Sequence, residues 1–137
     1  MTKKPLRILL VEDDGSIARI IAIAMRDIGV PYHLDEAFSA EEGLELWARQ
    51  PYDLLLTDYN LRGMSGIAMI AALRDQGAGD LPTVLFTAYD DVKVRKEARA
   101  VGVTHFIAKP FVIEEFVNLA RGLLPINASE MGSPPAA

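Results

Sequence analysis

Five short apolar runs, each followed by a stretch with helical periodicity, constrain this chain more than any other feature. The runs are "LRILLV" (6–11), "YHLDEAF" (32–38), "DLLLT" (53–57), "PTVLFT" (82–87) and "HFIA" (105–108). The three leucines Leu54 to Leu56 offer water no polar face, so they read as a strand covered on both sides. "YHLDEAF" alternates polar and apolar residues more than its neighbours and reads as an edge strand. From Ile17 to Ile28 the spacing is helical, with Gly29 as a stop and Pro31 just beyond. Ser39 and Glu42 have the spacing of a capping box, and Leu44, Trp47 and Ala48 fall on one helical face. A third helix spans about Gly66 to Gln76. Asp90 or Asp91 caps a fourth, which runs to about Val101 and is closed by Gly102. Phe116, Leu119, Ala120 and Leu123 form the apolar stripe of a fifth.

Strands alternating with helices predict an α/β, doubly wound fold: a parallel sheet with helices on both faces. Right-handed crossovers leave few topologies. With the second strand at an edge, 2-1-3-4-5 is the economical order. In such a sheet the working site lies beyond the carboxyl ends of the strands, where the order reverses.

The chain has 137 residues, which fits one domain with a sizeable core. Residues 1–124 are assigned to that domain. The segment "PINASEMGSPPAA" (125–137) reads as a flexible tail or the start of a linker. Net charge is −5, which argues against a nucleic-acid partner for the domain by itself. Cysteine is absent, so disulfides and thiolate metal sites are excluded. Lys3, Lys4 and Arg7 precede an apolar run, but that run covers only Ile8 to Val11, too short for a secretory signal or a membrane span. A cytoplasmic protein is expected.

The residues placed at the carboxyl ends of the strands carry the chemistry. Glu12, Asp13 and Asp14 follow the first strand, and Asp58 the third. Thr87, then Ala88, closes the fourth, and Lys109 and Pro110 follow the fifth. Asp14 reads better as a helix cap than as a site residue. Several carboxylates in one crevice repel and raise one another's pKa values, and a hard divalent cation such as Mg²⁺ relieves that repulsion. A lysine supplies compact positive charge for phosphate, and a threonine supplies a hydroxyl. Carboxylate, metal, lysine and hydroxyl together suit phosphoryl transfer to an aspartate.

With these residues in place, residues 6 to 124 resemble a response-regulator receiver domain of two-component signalling, the family that includes CheY. The resemblance implies that Asp58 is the phosphoacceptor. It implies that Asp13 ligates Mg²⁺ directly, that Glu12 helps through water, and that Asn60 lends its backbone carbonyl. Thr87 would hydrogen-bond the phosphoryl group and Lys109 would pair with it. Phe106 takes the aromatic switch position, and the Lys109–Pro110 peptide bond is expected to be cis. The implied partners are a sensor histidine kinase or phosphotransfer protein and an unidentified downstream protein. The implied chemistry is self-catalysed phosphoryl transfer with slow autodephosphorylation, rather than metabolic catalysis.

Some positions depart from the family's habit. Arg62 stands where the loop after the aspartate commonly has proline, which predicts a looser loop. Tyr89 borders the site, where its ring would shield an acyl phosphate from water. Thr104 stands near the place of an acid used by regulators that dimerise through the fourth-helix to fifth-helix face, so a monomer or weak dimer is expected. His33 and His105 lack partner spacing and read as surface histidines. Two other classes fit part of the pattern. A haloacid-dehalogenase-like phosphatase also uses an Asp at a strand end with Mg²⁺, but it normally has a second acid two residues on, where this chain has Asn60. An inert interaction module of the same shape would usually lack Asp58, Lys109 or the acid pair.

Overall fold

The computed structural model of the protein describes residues 5–88, 92–103 and 105–123. Strands β1 (Leu6–Val11), β2 (Tyr32–Ala37), β3 (Leu54–Asp58), β4 (Thr83–Thr87) and β5 (His105–Ala108) alternate with helices α1 (Gly15–Ala24), α2 (Ala40–Arg49), α3 (Gly66–Asp75), α4 (Val92–Ala100) and α5 (Ile113–Leu123). The strands form one sheet in the order β2-β1-β3-β4-β5, as the pattern predicts, and every pair is parallel.

The leucine run explains the layering. Successive strand residues point to opposite faces, so Leu55 joins one core and Leu54 and Leu56 join the other. The first core packs Leu9, Leu55 and Leu85 against Met69, Ile70 and Leu73 of α3 and Val94 and Ala98 of α4. The second packs Ile8, Leu10, Leu56 and Phe86 against Ile21 of α1 and Phe116 and Ala120 of α5. In it the Phe86 ring meets Phe111 and Phe116 edge-on, at centroid distances of 6.3 and 5.9 Å.

Local signals act where the sequence puts them. The Ser39 hydroxyl accepts the Glu42 N–H and caps α2. Gly29 and Gly102 take φ of 89° and 87° behind their helices, a region that a Cβ disfavours. Asp14 caps α1 by accepting from Ser16 and Ile17, so that helix starts at Gly15, two residues before its apolar periodicity begins. It also ends early: beyond Ala24 the chain tightens into a 3₁₀ turn, Met25–Ile28, before Gly29 reverses it. Ala48 is exposed, contrary to its assigned face. Leu44, Leu46 and Trp47 cover the first core instead, because Gly43 at the centre of the face lets α2 approach Val11 and Met69 closely. Phe38 falls outside β2 and is exposed. Asp90, Asp91, Tyr89, Thr104 and the 125–137 segment lie outside the described residues. No helix among the described residues is long and apolar enough to cross a membrane.

Candidate functional site

Register brings the strand ends to one edge. Val11 pairs with Thr57, Asp58 with Phe86, and Thr87 with Ala108. Glu12 and Asp13 therefore leave β1 beside the end of β3, and Lys109 leaves β5 on the other side of β4. The Lys109–Pro110 bond is cis, as the resemblance implied. The Lys109 N–H donates to the Thr87 carbonyl at 2.8 Å, so the two strand ends are tied through the backbone.

The side chains then meet. Glu12, Asp13 and Asp58 each offer a carboxylate oxygen within 4.8 Å of the others. Lys109 Nζ donates to Asp58 Oδ2 at 2.8 Å and to Glu12 Oε1 at 3.2 Å. It lies 5.4 Å from the Phe86 ring centroid, which lines its approach. Glu12 is fully buried, and Asp58 retains only 6% exposure. Burial, then the hydrogen bond and charge of Asp58, push the Glu12 carboxyl up to about 7, while Lys109 pulls the other way. Burial opposes the Lys109 ammonium, but the bonds and charges of Asp58 and Glu12 hold its pKa above the usual lysine value. Glu12 and Asp58 share one lysine, which leaves two carboxylates with a single ammonium between them in a poorly solvated crevice. An all-oxygen donor set of this kind fits Mg²⁺.

The structure thus brings together Glu12, Asp13, Asp58 and Lys109, with Thr87 buried at the end of β4. Asn60 is adjacent: its N–H donates to Asp58 Oδ1 at 3.2 Å. Phe106 is half-buried on β5, packed against the first core, with the Arg95 guanidinium of α4 5.1 Å from its ring centroid. The histidines are elsewhere. His33 is exposed and pairs with Asp35 at 2.9 Å, whereas His105 is half-buried at the start of β5 rather than on the surface.

Several contributors escape sequence reasoning. A Cβ on Gly66 would lie 2.2 Å from the Asp58 carbonyl oxygen, so only glycine lets α3 start this close to the site. The glycine itself is visible in the sequence, but nothing there tells which backbone it approaches. The Tyr59 hydroxyl donates to Glu97 of α4 at 3.2 Å, linking the residue after Asp58 to another helix. The Arg62 N–H donates to Asp13 Oδ2 at 3.1 Å, so the loop that lacks proline has a tether of its own.

A five-stranded 2-1-3-4-5 sheet with this crevice at its carboxyl edge is the CheY-like form of the flavodoxin fold. The chemotaxis protein CheY4 of Vibrio cholerae superposes with a TM-score of 0.81 at 25% identity, covering 88% of this chain and all of that one. A response regulator structure from Chloroflexus aurantiacus gives a TM-score of 0.80 at 28% identity over 90% of this chain and all of that one. The family model for the response regulator receiver domain matches residues 8–121, and the chain belongs to that family, the receivers of two-component systems. CheY of Pseudomonas aeruginosa is 33% identical over 80% of this chain and 88% of its own length. The transcriptional regulatory protein YkoG of Bacillus subtilis is 32% identical over 90% of this chain but only 53% of its own length. The chain thus spans about half the length of relatives of that kind.

Proposed function

We propose that Asp58 accepts a phosphoryl group from the phosphohistidine of a sensor histidine kinase or phosphotransfer protein, or from a small phosphodonor, and that the phosphorylated domain controls a downstream protein. The observation that carries this reading is the 2.8 Å contact of Lys109 Nζ with Asp58 inside a crevice that also holds Glu12 and Asp13.

In the step, an Asp58 oxygen attacks phosphorus and forms the acyl phosphate. The bond to the donor nitrogen breaks, its electron pair stays on the imidazole, and solvent returns a proton there. Lys109 occupies Oδ2 and the Asn60 N–H occupies Oδ1 in the resting crevice. Lys109 must therefore follow the incoming charge and transfer its donors to the phosphoryl oxygens. Asp13, Glu12, Asp58 and the Asn60 carbonyl would hold Mg²⁺, whose chemistry is to offset charge on the phosphoryl oxygens. Thr87 donates its hydroxyl to the phosphoryl group. Phe106 then leaves Arg95 and turns inward, and the α4–β5–α5 face changes shape. Taking the active state from one in a hundred to ninety-nine in a hundred requires the phosphoryl group to favour it by roughly 5.5 kcal/mol. Residues 1–124 act as the receiver unit, in the cytoplasm, as a monomer or weak dimer, with 125–137 as tail or linker. Direct nucleic-acid or membrane binding is not assigned to this unit.

The test is incubation with Mg²⁺ and a small acyl phosphate, read by intact mass. One added phosphoryl group that is lost in Asp58→Asn supports the reading. No addition, or sustained turnover of phosphomonoesters, overturns it in favour of an inert module or a phosphatase.

A further inference from the structure

The acids of the crevice are held by different donors. Glu12 accepts from Lys109 and from the Asp14 N–H, and Asp58 accepts from Lys109 and the Asn60 N–H. Asp13 is held from across the crevice mouth by residue 62, forty-nine positions away in sequence. Two groups of Arg62 face the same oxygen: its backbone N–H at 3.1 Å from Asp13 Oδ2, and its Nε at 3.8 Å. They are not equivalent. The Arg62 side chain is 89% exposed, and an exposed pair at that distance changes an equilibrium a few-fold at most. The N–H bond is charge-assisted and costs no side-chain ordering, so it is the stronger hold.

From this difference we infer that Arg62 is a positioning residue for the cation site, acting through its backbone N–H. That N–H seats the Asp13 carboxylate and closes the β3–α3 loop against the β1–α1 loop. The loop holds Asp13 by its Oδ2, and the carboxylate so held offers an oxygen within 4.8 Å of those of Glu12 and Asp58. The guanidinium acts in the opposite sense: its charge offsets part of the Asp13 charge and weakens the pull on a cation. A donor that orients a ligating carboxylate changes metal affinity by about tenfold or more when it is lost. The two parts of Arg62 are separable because alanine removes only the side chain, whereas proline also removes the N–H. This inference rests on the cation-dependent reading of the crevice given above.

The experiment is calorimetric titration of the full chain with Mg²⁺, for the unaltered protein, Arg62→Ala and Arg62→Pro. Arg62→Ala should bind about two- to threefold more tightly at low salt, with the gain fading as salt screens it. Arg62→Pro should bind about tenfold more weakly than Arg62→Ala. Equal affinity in the alanine and proline variants overturns the positioning role while leaving the cation site intact. No Mg²⁺ binding by the unaltered chain overturns both. Amide hydrogen exchange provides a check that does not require the proline variant to fold. The Arg62 amide should be protected in the unaltered chain and should lose that protection in Asp13→Ala. Exchange at the unprotected rate in the unaltered chain overturns the inference.

Discussion

Glu12 is a carboxyl that burial holds well above its ordinary pKa. Its carboxyl is fully buried beside Asp58, and Lys109 is shared between them. A carboxyl whose pKa rises on folding removes stability above its unfolded value, because the folded state must then either keep a proton the unfolded state has lost or bury the charge. Its ordinary value is 4.5 and its folded value about 7, so the cation-free protein loses stability as pH rises through that window. Glu12→Gln keeps the shape and an acceptor for Lys109 but removes the charge. In chelator at pH 8 it should raise the unfolding free energy by about 1 kcal/mol or more. It should also flatten the pH dependence between 5 and 7, seen as a constant urea midpoint across a pH series. An unchanged pH profile would show that Glu12 ionises normally. The same residue would weaken Mg²⁺ binding when neutralised, so a gain in stability and a loss of cation affinity should appear together.

At the scale of elements, Arg74 at the end of α3 fastens pieces that the sheet alone does not join. Its guanidinium donates to the carbonyls of Ala78, Leu81 and Val101 and to the Thr83 hydroxyl, at 2.6 to 3.1 Å. It thus ties the α3–β4 loop to the turn after α4, the helix beside Phe106. Arg74→Ala strands buried carbonyls and should cost about 3 kcal/mol in urea denaturation. Arg74→Lys should recover little, because an ammonium cannot span a planar fork of acceptors. Full recovery by lysine would reduce the clamp to a simple charge. Nothing in "AALRDQGAG" marks this arginine, which resembles any basic residue in the last turn of a helix. Helix α2 makes the converse point. Its cap at Ser39 was legible because a cap is confined to four consecutive residues. Its buried face was misjudged at Ala48, because which side of a helix faces inward depends on how closely the sheet lets it approach, and Gly43 set that distance.

For the whole molecule, the central question is whether two cores behave as one. They share every residue of the sheet backbone, and Leu54 to Leu56 contribute to both. Damage on either face should therefore lower a single transition. Phe86→Ala, on the α1–α5 side, should cost about 3–5 kcal/mol, and Leu85→Ala, on the α3–α4 side, about 2–5 kcal/mol. Both should shift the urea midpoint without changing its slope. A second transition in either variant, seen by fluorescence and circular dichroism at different midpoints, would show that the faces unfold separately.

The sequence by itself determined the strands, most helix ends, the strand order and which residues stand at the carboxyl edge. These rest on local quantities: apolar periodicity sets which faces leave water, glycines set where helices stop, and parallel strands restrict the connections. The positions of Asp58, Lys109 and the acid pair were legible for the same reason, since each ends a strand or follows directly on one. Only the tertiary structure decided how those residues engage. That Lys109 serves both Asp58 and Glu12, that Gly66 must lie against the Asp58 carbonyl, that Tyr59 reaches Glu97, and that the Arg62 N–H holds Asp13 all depend on distances between segments far apart in the chain. Such distances follow from packing and register, which no single stretch of sequence encodes.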